Sequence, residues 1–364
     1  MTRVLVIEPA GNLWGSERAL LDVVDRMPAE VGVCCPPGRP IIAELDRRSI
    51  RVLPYFIYGL HEKGRWTRLM AAFGVMRACL KFRPDVIHLN QAGCYRVVLL
   101  AAILLNLPIV AHVRIFEDAG YLAANRPSQR RLQGVIAISA AIAEELRGHP
   151  QLSAIPIHVL YDAYVPDAAT EKSQAHARVA GRIGCVGRIV PIKGQDLLIE
   201  SVDRLRRSGF DEVECVIAGD GPADYVQSLK AAAAQGSAAL TIKWLGTQND
   251  VIPLLRSCTV MACPSRREPL GRVIFEAWDA GAIPVAFASS GGATEVIAAA
   301  DGGILYDEET PESLACALQT ALRLPQDEAA RLIENGRVWM SKNCDPKRYG
   351  ESFAALLAQS PRAA

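Results

Sequence analysis

The feature that most constrains this chain is a repeated alternation between short, unbroken apolar runs and longer stretches of helical periodicity. Apolar runs at 4–7, 86–89, 109–112 and 135–138 are interleaved with helical patterns at 17–27, 95–105 and 140–147. Such alternation predicts βαβ units and a parallel sheet. The runs read VLVI and GVIAI without polar positions between, as expected when helices cover both faces of the sheet. After a further apolar run at 158–161 the pattern pauses over 165–180, a polar, alanine-rich stretch that reads as a linker. It then resumes with apolar runs at 182–186, 214–218, 241–244, 259–263, 284–287 and 303–305, and helical patterns at 195–208, 225–235 and 271–281.

With 364 residues the chain exceeds the size at which one core stops growing, so two domains are expected. The sequence therefore predicts an α/β protein with two doubly wound parallel-sheet domains, 1–170 and 171–344. A closing amphipathic helix lies within 345–364, with Tyr349, Phe353, Leu356 and Leu357 on its apolar side and no readable docking site. No repeat of solenoid period is present.

Half of the residues are hydrophobic and 22% charged, an ordinary globular balance. A net charge of +1 gives no basis for nucleic-acid binding. The front 170 residues carry 19 basic and 15 acidic residues, the remainder 21 and 24. The ten cysteines are scattered without zinc-type spacing and fit reduced thiols in the cytoplasm. No apolar run suits a signal peptide or a membrane span, so a cytoplasmic protein is expected. One segment stands out. Residues 63–83 hold six bases and no acid, interleaved with Trp66, Leu69, Met70, Phe73, Met76 and Leu80. This pattern suits a helix lying peripherally on an anionic membrane, or an ordinary helix whose apolar residues enter the core.

Candidate chemistry sits where apolar runs end. SRREPLGRVIFEAWDAGAIPV (265–285) places Glu268 in a loop and Glu276 in the following helix, with Pro269, Leu270 and Gly271 forming a sharp turn between them. Carboxylates suit sugar hydroxyls, and amides at a helix start suit phosphate. Small residues Ala277, Ala280 and Gly281 would seat this helix closely, and the loop lies at a strand's C-terminal end, where open α/β sheets bind ligands. CVGRIVPIKG (185–194) brings Arg188 and Lys193 to a similar place, as fixed cations for a diphosphate leaving group. IAGDGP adds Gly219 and Gly221, a weaker signal that tight turns also produce. No G-x-G-x-x-G or lysine-bearing P-loop occurs, which disfavours NAD binding and ATP hydrolysis. In the front half, GNLWGSERALL puts Gly15 and Ser16 between the first strand and helix, where Ser16 could approach a phosphate or serve as an N-cap. His112, expected to emerge at the sheet's C-terminal edge, is a candidate on the acceptor side with Arg114, Glu117 and Asp118, while His88 holds a similar place on another strand.

Taken together, VGRIVPIKG, IAGDGP, PDVIHLN and above all the E-x7-E pattern of Glu268 and Glu276 resemble retaining glycosyltransferase family 4, over nearly the whole chain. The resemblance implies the GT-B architecture, two facing Rossmann-like domains with a cleft between them. It implies that Arg188 and Lys193 hold the diphosphate of a nucleotide-sugar donor, that Glu268 contacts the transferred sugar, and that Glu276 binds ribose. Backbone at 269–271 would cradle sugar and phosphate, Gly15 and Ser16 would lie near phosphate, and His112 near the reacting carbon. No metal or other cofactor is implied, since the two cations replace it. The acceptor would be a glycan or lipid-linked saccharide, in polysaccharide or lipopolysaccharide assembly. Three positions depart from the family pattern: Leu270 where phenylalanine is common, Trp14-Gly15 for paired glycines, and Asp162 for asparagine. A nucleotide-sugar 2-epimerase and a non-catalytic sugar-binding subunit are the competing readings.

Overall fold

The computed structural model describes residues 1–55, 64–167, 178–236 and 241–358, and the chain divides into two compact units. The first comprises Met1–Val165 together with Asn343–Ala364, the second Pro166–Lys342. Each is built on one parallel sheet. In the first unit the strands are β1 (Arg3–Ile7), β2 (Glu30–Cys35), β3 (Arg51–Pro54), β4 (Val86–Leu89), β5 (Ile109–Val113), β6 (Leu132–Ala137) and β7 (Ile157–Val159), in the order β3-β2-β1-β4-β5-β6-β7. In the second they are β8 (Arg182–Val186), β9 (Glu214–Ala218), β10 (Ile242–Gly246), β11 (Val260–Cys263), β12 (Ile283–Phe287) and β13 (Ile304–Tyr306), in the order β10-β9-β8-β11-β12-β13. Both are Rossmann-like.

The central strands explain the arrangement. β4, β5 and β11 are buried at every residue, so their Val, Ile, Leu and Ala side chains meet helices on both faces. Such strands offer no polar side to solvent, and a parallel crossover needs a helix between successive strands. Strand order reverses beside β1 in the first sheet and beside β8 in the second. Loops leaving β1 and β4, and those leaving β8 and β11, therefore diverge at the switch points where α/β sheets accept ligands.

The helix Pro346–Ala358 belongs to the first unit, not to a separate terminal segment. Tyr349, Phe353 and Leu357 are buried in the cluster that holds Val4, Val6, Leu20 and Val33. The Phe353 ring meets His88 edge-on at a centroid distance of 4.6 Å and lies 5.8 Å from His112.

The helix Arg65–Phe82 resolves differently from either sequence expectation alone. It buries Ala71, Val75, Ala78, Cys79 and Phe82 and exposes Trp66, Leu69, Met70, Phe73 and Leu80, which are 56–80% accessible. At 100° per residue these sets form two apolar stripes on opposite sides. The core takes the small-residue stripe. Residue 63 and the Arg65 side chain lie outside the described residues.

Phe353→Ala should lower the stability of the first unit by about 3–4 kcal/mol, the usual cost of truncating a buried phenylalanine. Urea-dependent hydrogen exchange of β1 and β4 amides measures it; unchanged protection would show that this helix is no part of the core.

Candidate functional site

In the second unit, Glu268 is the meeting point of three loops. Its Oε2 accepts from Lys193 Nζ at 2.6 Å and from Ser265 Oγ at 2.8 Å. Its backbone N–H donates to Ser290 O and its carbonyl accepts from Gly292 N, tying the loop after β11 to the loop after β12. Glu268 is buried at 7% exposure. Burial would push the Lys193 ammonium down, but the Glu268 carboxylate outweighs it and holds Lys193 above the ordinary lysine range. Arg188 is exposed on the same loop, and its like charge acts on Lys193. Gln195 Nε2 donates to Arg188 O and fixes the backbone there. Arg266 clamps the other side, bidentate to Asp196 at 2.8 and 3.0 Å and bonded to Glu309 at 2.6 Å. A forked guanidinium on three elements makes the loop after β11 rigid.

Two glycines permit this proximity. A Cβ on Gly219, whose φ is +145°, would come within 1.8 Å of Gly187 O, so the loops after β8 and β9 can touch only as bare backbone. A Cβ on Gly292 would meet Pro269 O at 2.1 Å. Gly219 thus has a packing requirement of its own, whatever else it contacts. Leu270 is buried, Pro269 half-buried, and Gly271 precedes the helix Arg272–Ala280, in which half-buried Glu276 lies 4.0 Å from Arg272. Ser265, Gln195, Ser290 and Gly292 escaped the sequence reading. Only the paired Gly291-Gly292 after an apolar run could have flagged that third loop.

The first unit gathers polar groups at its own switch point. Glu8, fully buried just past β1, accepts from the N–H groups of Ala10 and Gly11 at 2.8 and 3.1 Å and from Asn90 Nδ2 at 2.6 Å. Arg114, past β5, donates to Asn90 O and Asn90 Oδ1 and pairs with Asp162. Asp162 is therefore the counter-ion of a buried arginine, which an asparagine could not be.

Ser16 does not cap the helix Gly15–Leu21, whose N-cap is Trp14. Its Oγ receives a hydrogen bond from Gln91 Nε2 at 3.1 Å and donates to Glu17 Oε2 at 3.0 Å. Gly15 is exposed, with open space where a side chain would stand. Glu17 is fully buried and its Oε1 has no hydrogen-bond partner. Burial and, secondarily, Glu8 push its carboxyl up to about 7.

His112 does not emerge at the sheet edge. It lies within β5, wholly buried, with Nδ1 bonded to His88 at 2.7 Å and Nε2 to Tyr349 Oη at 3.0 Å. The C-terminal helix closes over it, so Nε2 is committed to that helix through Tyr349 and Nδ1 to His88 on β4. Burial and Arg114 drive both histidines down, His88 to about 3 and His112 well below the usual range, so they pack as neutral rings. His112 is a core residue in this geometry. Asp118 is also buried and raised to about 6, chiefly by burial, whereas Glu117 is exposed. Among the described residues no three of His, Cys, Asp and Glu cluster as metal ligands, and no helix is long and apolar enough to cross a membrane.

Glu17 gives a sign-definite pH prediction. The unfolded carboxyl loses its proton from about 4.5, the folded one only near 7, so the folded state is penalised as pH rises through that window and constantly above it. Glu17→Gln should stabilise the first unit at pH 8, by up to about 3 kcal/mol, and leave it nearly unchanged at pH 4. Denaturant titrations at the two pH values measure the difference, and equal effects at both would refute it.

A Glycosyltransferase Family 4 model matches residues 15–167, and a Glycosyl transferases group 1 model matches 170–339. A GDP-mannose-dependent alpha-(1-6)-phosphatidylinositol monomannoside mannosyltransferase of Mycobacterium tuberculosis is 31% identical over 205 residues, 52% of this chain and 51% of that one. The chain thus spans about half the length of the curated relatives it matches. Among solved structures, Anabaena HepE in complex with UDP and glucose superposes with a TM-score of 0.82 at 21% identity, covering 99% of this chain and 100% of that one. Sucrose-phosphate synthase from Thermosynechococcus elongatus does so with 0.79 at 18%, covering 99% of each. A glycosyltransferase family model thus matches within each unit, and the chain as a whole has the two-domain GT-B fold of these solved structures.

Proposed function

We propose that this protein is a retaining, metal-independent glycosyltransferase that moves a sugar from a UDP- or GDP-sugar to a glycan or lipid-linked acceptor in polysaccharide or lipopolysaccharide assembly. The observation that carries the reading is the Lys193–Glu268 pair, held by Ser265 and Arg266 at the switch point of the second sheet. Lys193 spends one of its three donors on Glu268, leaving others for a diphosphate oxygen beside exposed Arg188. Charge grows on that diphosphate as the glycosidic bond breaks, and prepositioned cations stabilise it there more than in the ground state. Glu268 would orient the sugar through its hydroxyls, Glu276 would accept from ribose, and the turn at 269–271 would lie along sugar and phosphate. Retention follows if the acceptor enters on the face that the diphosphate leaves, the diphosphate taking the acceptor's proton. In the first unit, Gly15 and Ser16 would meet a phosphoryl group. A mannosyltransferase acting on a phosphatidylinositol monomannoside among the relatives supports a nucleotide-sugar donor and a lipid-linked acceptor.

Lys193→Ala and Glu268→Ala should each cut transfer by about 10²–10³-fold or more while circular dichroism stays unchanged, the scale set by removing one preorganised charge or donor. Full turnover in either variant would sink the assignment. Incubating the protein with donor alone separates transfer from 2-epimerisation, since only an epimerase would convert the nucleotide sugar without acceptor.

The same reading places the protein on the cytoplasmic side, in peripheral contact with an anionic membrane. Support comes from the exposed stripe Trp66, Leu69, Met70, Phe73 and Leu80, flanked by Arg68, Arg77 and Lys81, with Leu100, Ile103 and Leu104 exposed on the adjacent helix Tyr95–Leu104. An apolar face rimmed by bases matches acyl chains beneath anionic headgroups. Replacing Arg68, Arg77 and Lys81 by glutamine should weaken co-sedimentation with phosphatidylglycerol vesicles by about fivefold per charge. Undiminished binding by the triple variant would refute the contact.

A further inference from the structure

We propose that Glu17 is a positioning residue that aims the Ser16 hydroxyl, so that a phosphoryl group binds at Ser16 only as Glu17 takes up a proton. The inference rests on the reading that Ser16 meets a phosphoryl group. It begins with an inventory of one hydroxyl. Ser16 Oγ accepts from Gln91 Nε2 and gives its single proton to Glu17 Oε2. With Glu17 ionised, that proton is committed, and the hydroxyl can show an incoming anion only a lone pair. With Glu17 protonated, the carboxyl can donate to Ser16 Oγ instead, and the serine O–H is released to turn outward as a donor. No atom needs to move beyond the exchange of one proton and the rotation of one hydroxyl.

The surroundings favour this exchange. Glu17 is fully buried, has no salt-bridge cation among the described residues, and makes no close hydrogen bond at Oε1; the N–H groups of Glu17 and Trp14 and the Ser16 hydroxyl ease its charge less than burial and Glu8 oppose it, an arrangement costlier for a carboxylate than for a carboxylic acid. Glu8 shows the contrast at short range: three donors converge on it from Ala10, Gly11 and Asn90. Charged and titratable groups on the surrounding elements are Glu8 at the end of β1, the Arg114–Asp162 pair past β5 that reaches Glu8 through Asn90, and the thiols of Cys35 and Cys94. Burial holds Cys35 near 12 and Cys94 well above its usual range, so both remain thiols at neutral pH. Arg18, next along the helix, donates its Nε to Leu13 O. Of these groups Glu8 acts on Glu17, and it adds to burial in raising the carboxyl to about 7. An arriving phosphoryl group adds negative charge nearby and pushes in the same direction.

The test is calorimetric titration of the whole protein with UDP-glucose and, in parallel, GDP-mannose, whose diphosphate diesters carry no group titrating between pH 6 and 9. For the wild type, affinity for whichever donor binds should fall with pH above 7, approaching about tenfold per unit, and binding should take up as much as one proton when compared across two buffers of different ionisation enthalpy. Glu17→Gln cannot ionise and should bind with no proton uptake and a flat profile. Ser16→Ala should bind weakly at pH 6 with the slope abolished. Absence of proton uptake in the wild type, or a wild-type slope retained in Glu17→Gln, overturns the role of Glu17. A Ser16→Ala protein that binds as the wild type at pH 6 overturns the prior reading instead, by showing that no phosphoryl group meets Ser16.

Discussion

Burial of both faces of each parallel sheet is the condition on which the other features depend. Strands such as β4, β5 and β11 have no position where a polar side chain could reach water. The chain therefore places many of its polar groups at the strands' C-terminal ends, where backbone donors are freed as strands give way to loops. In both units those ends are drawn together: Glu8 collects two amides and an amide side chain, and Glu268 collects a lysine, a serine and two neighbouring loops. Close approach of bare backbone at Gly219 and Gly292 brings the loops around the second of these assemblies together.

Three buried glutamates illustrate how the same side chain acquires different chemistry from its partners. Glu8 is surrounded by donors, Glu268 faces a cation, and Glu17 has one hydroxyl and a bare oxygen. All three are buried, and the number and charge of the donors around each differ. A structural anchor, a candidate sugar contact and a proton-holding group follow from those partner sets.

Much of the second unit was legible. The runs at 182–186 and 214–218 coincide with β8 and β9, because continuous Val, Ile and Cys between glycine-bearing turns leave few alternatives. Lys193 and Glu268 were legible as site candidates because two charged, glycine-bearing loops follow strands within one domain. β2 and β3 were missed, since EVGVCC is interrupted by glycine and RVLP is short and ends in proline, both of low strand preference. His112 was read as emerging past its strand, whereas it lies one residue before the strand's end and is buried under Tyr349 and Phe353. No local pattern reports that a helix more than two hundred residues later will cover it.

Sequence by itself determined the class of fold, the two-part organisation, and the residue types gathered at strand ends, because hydrophobic periodicity and glycine placement act locally along the chain. Tertiary structure decided which of those residues meet. It paired Lys193 with Glu268, sealed His112 beneath the returning helix, chose the Ala71–Val75–Ala78 stripe of Arg65–Phe82 for the core, and buried Glu17 with no cation for its carboxyl among the described residues. Each of these outcomes depends on the protonation, burial or exposure of a group whose neighbours come from distant parts of the chain, and electrostatic and packing energies are set by distance in space.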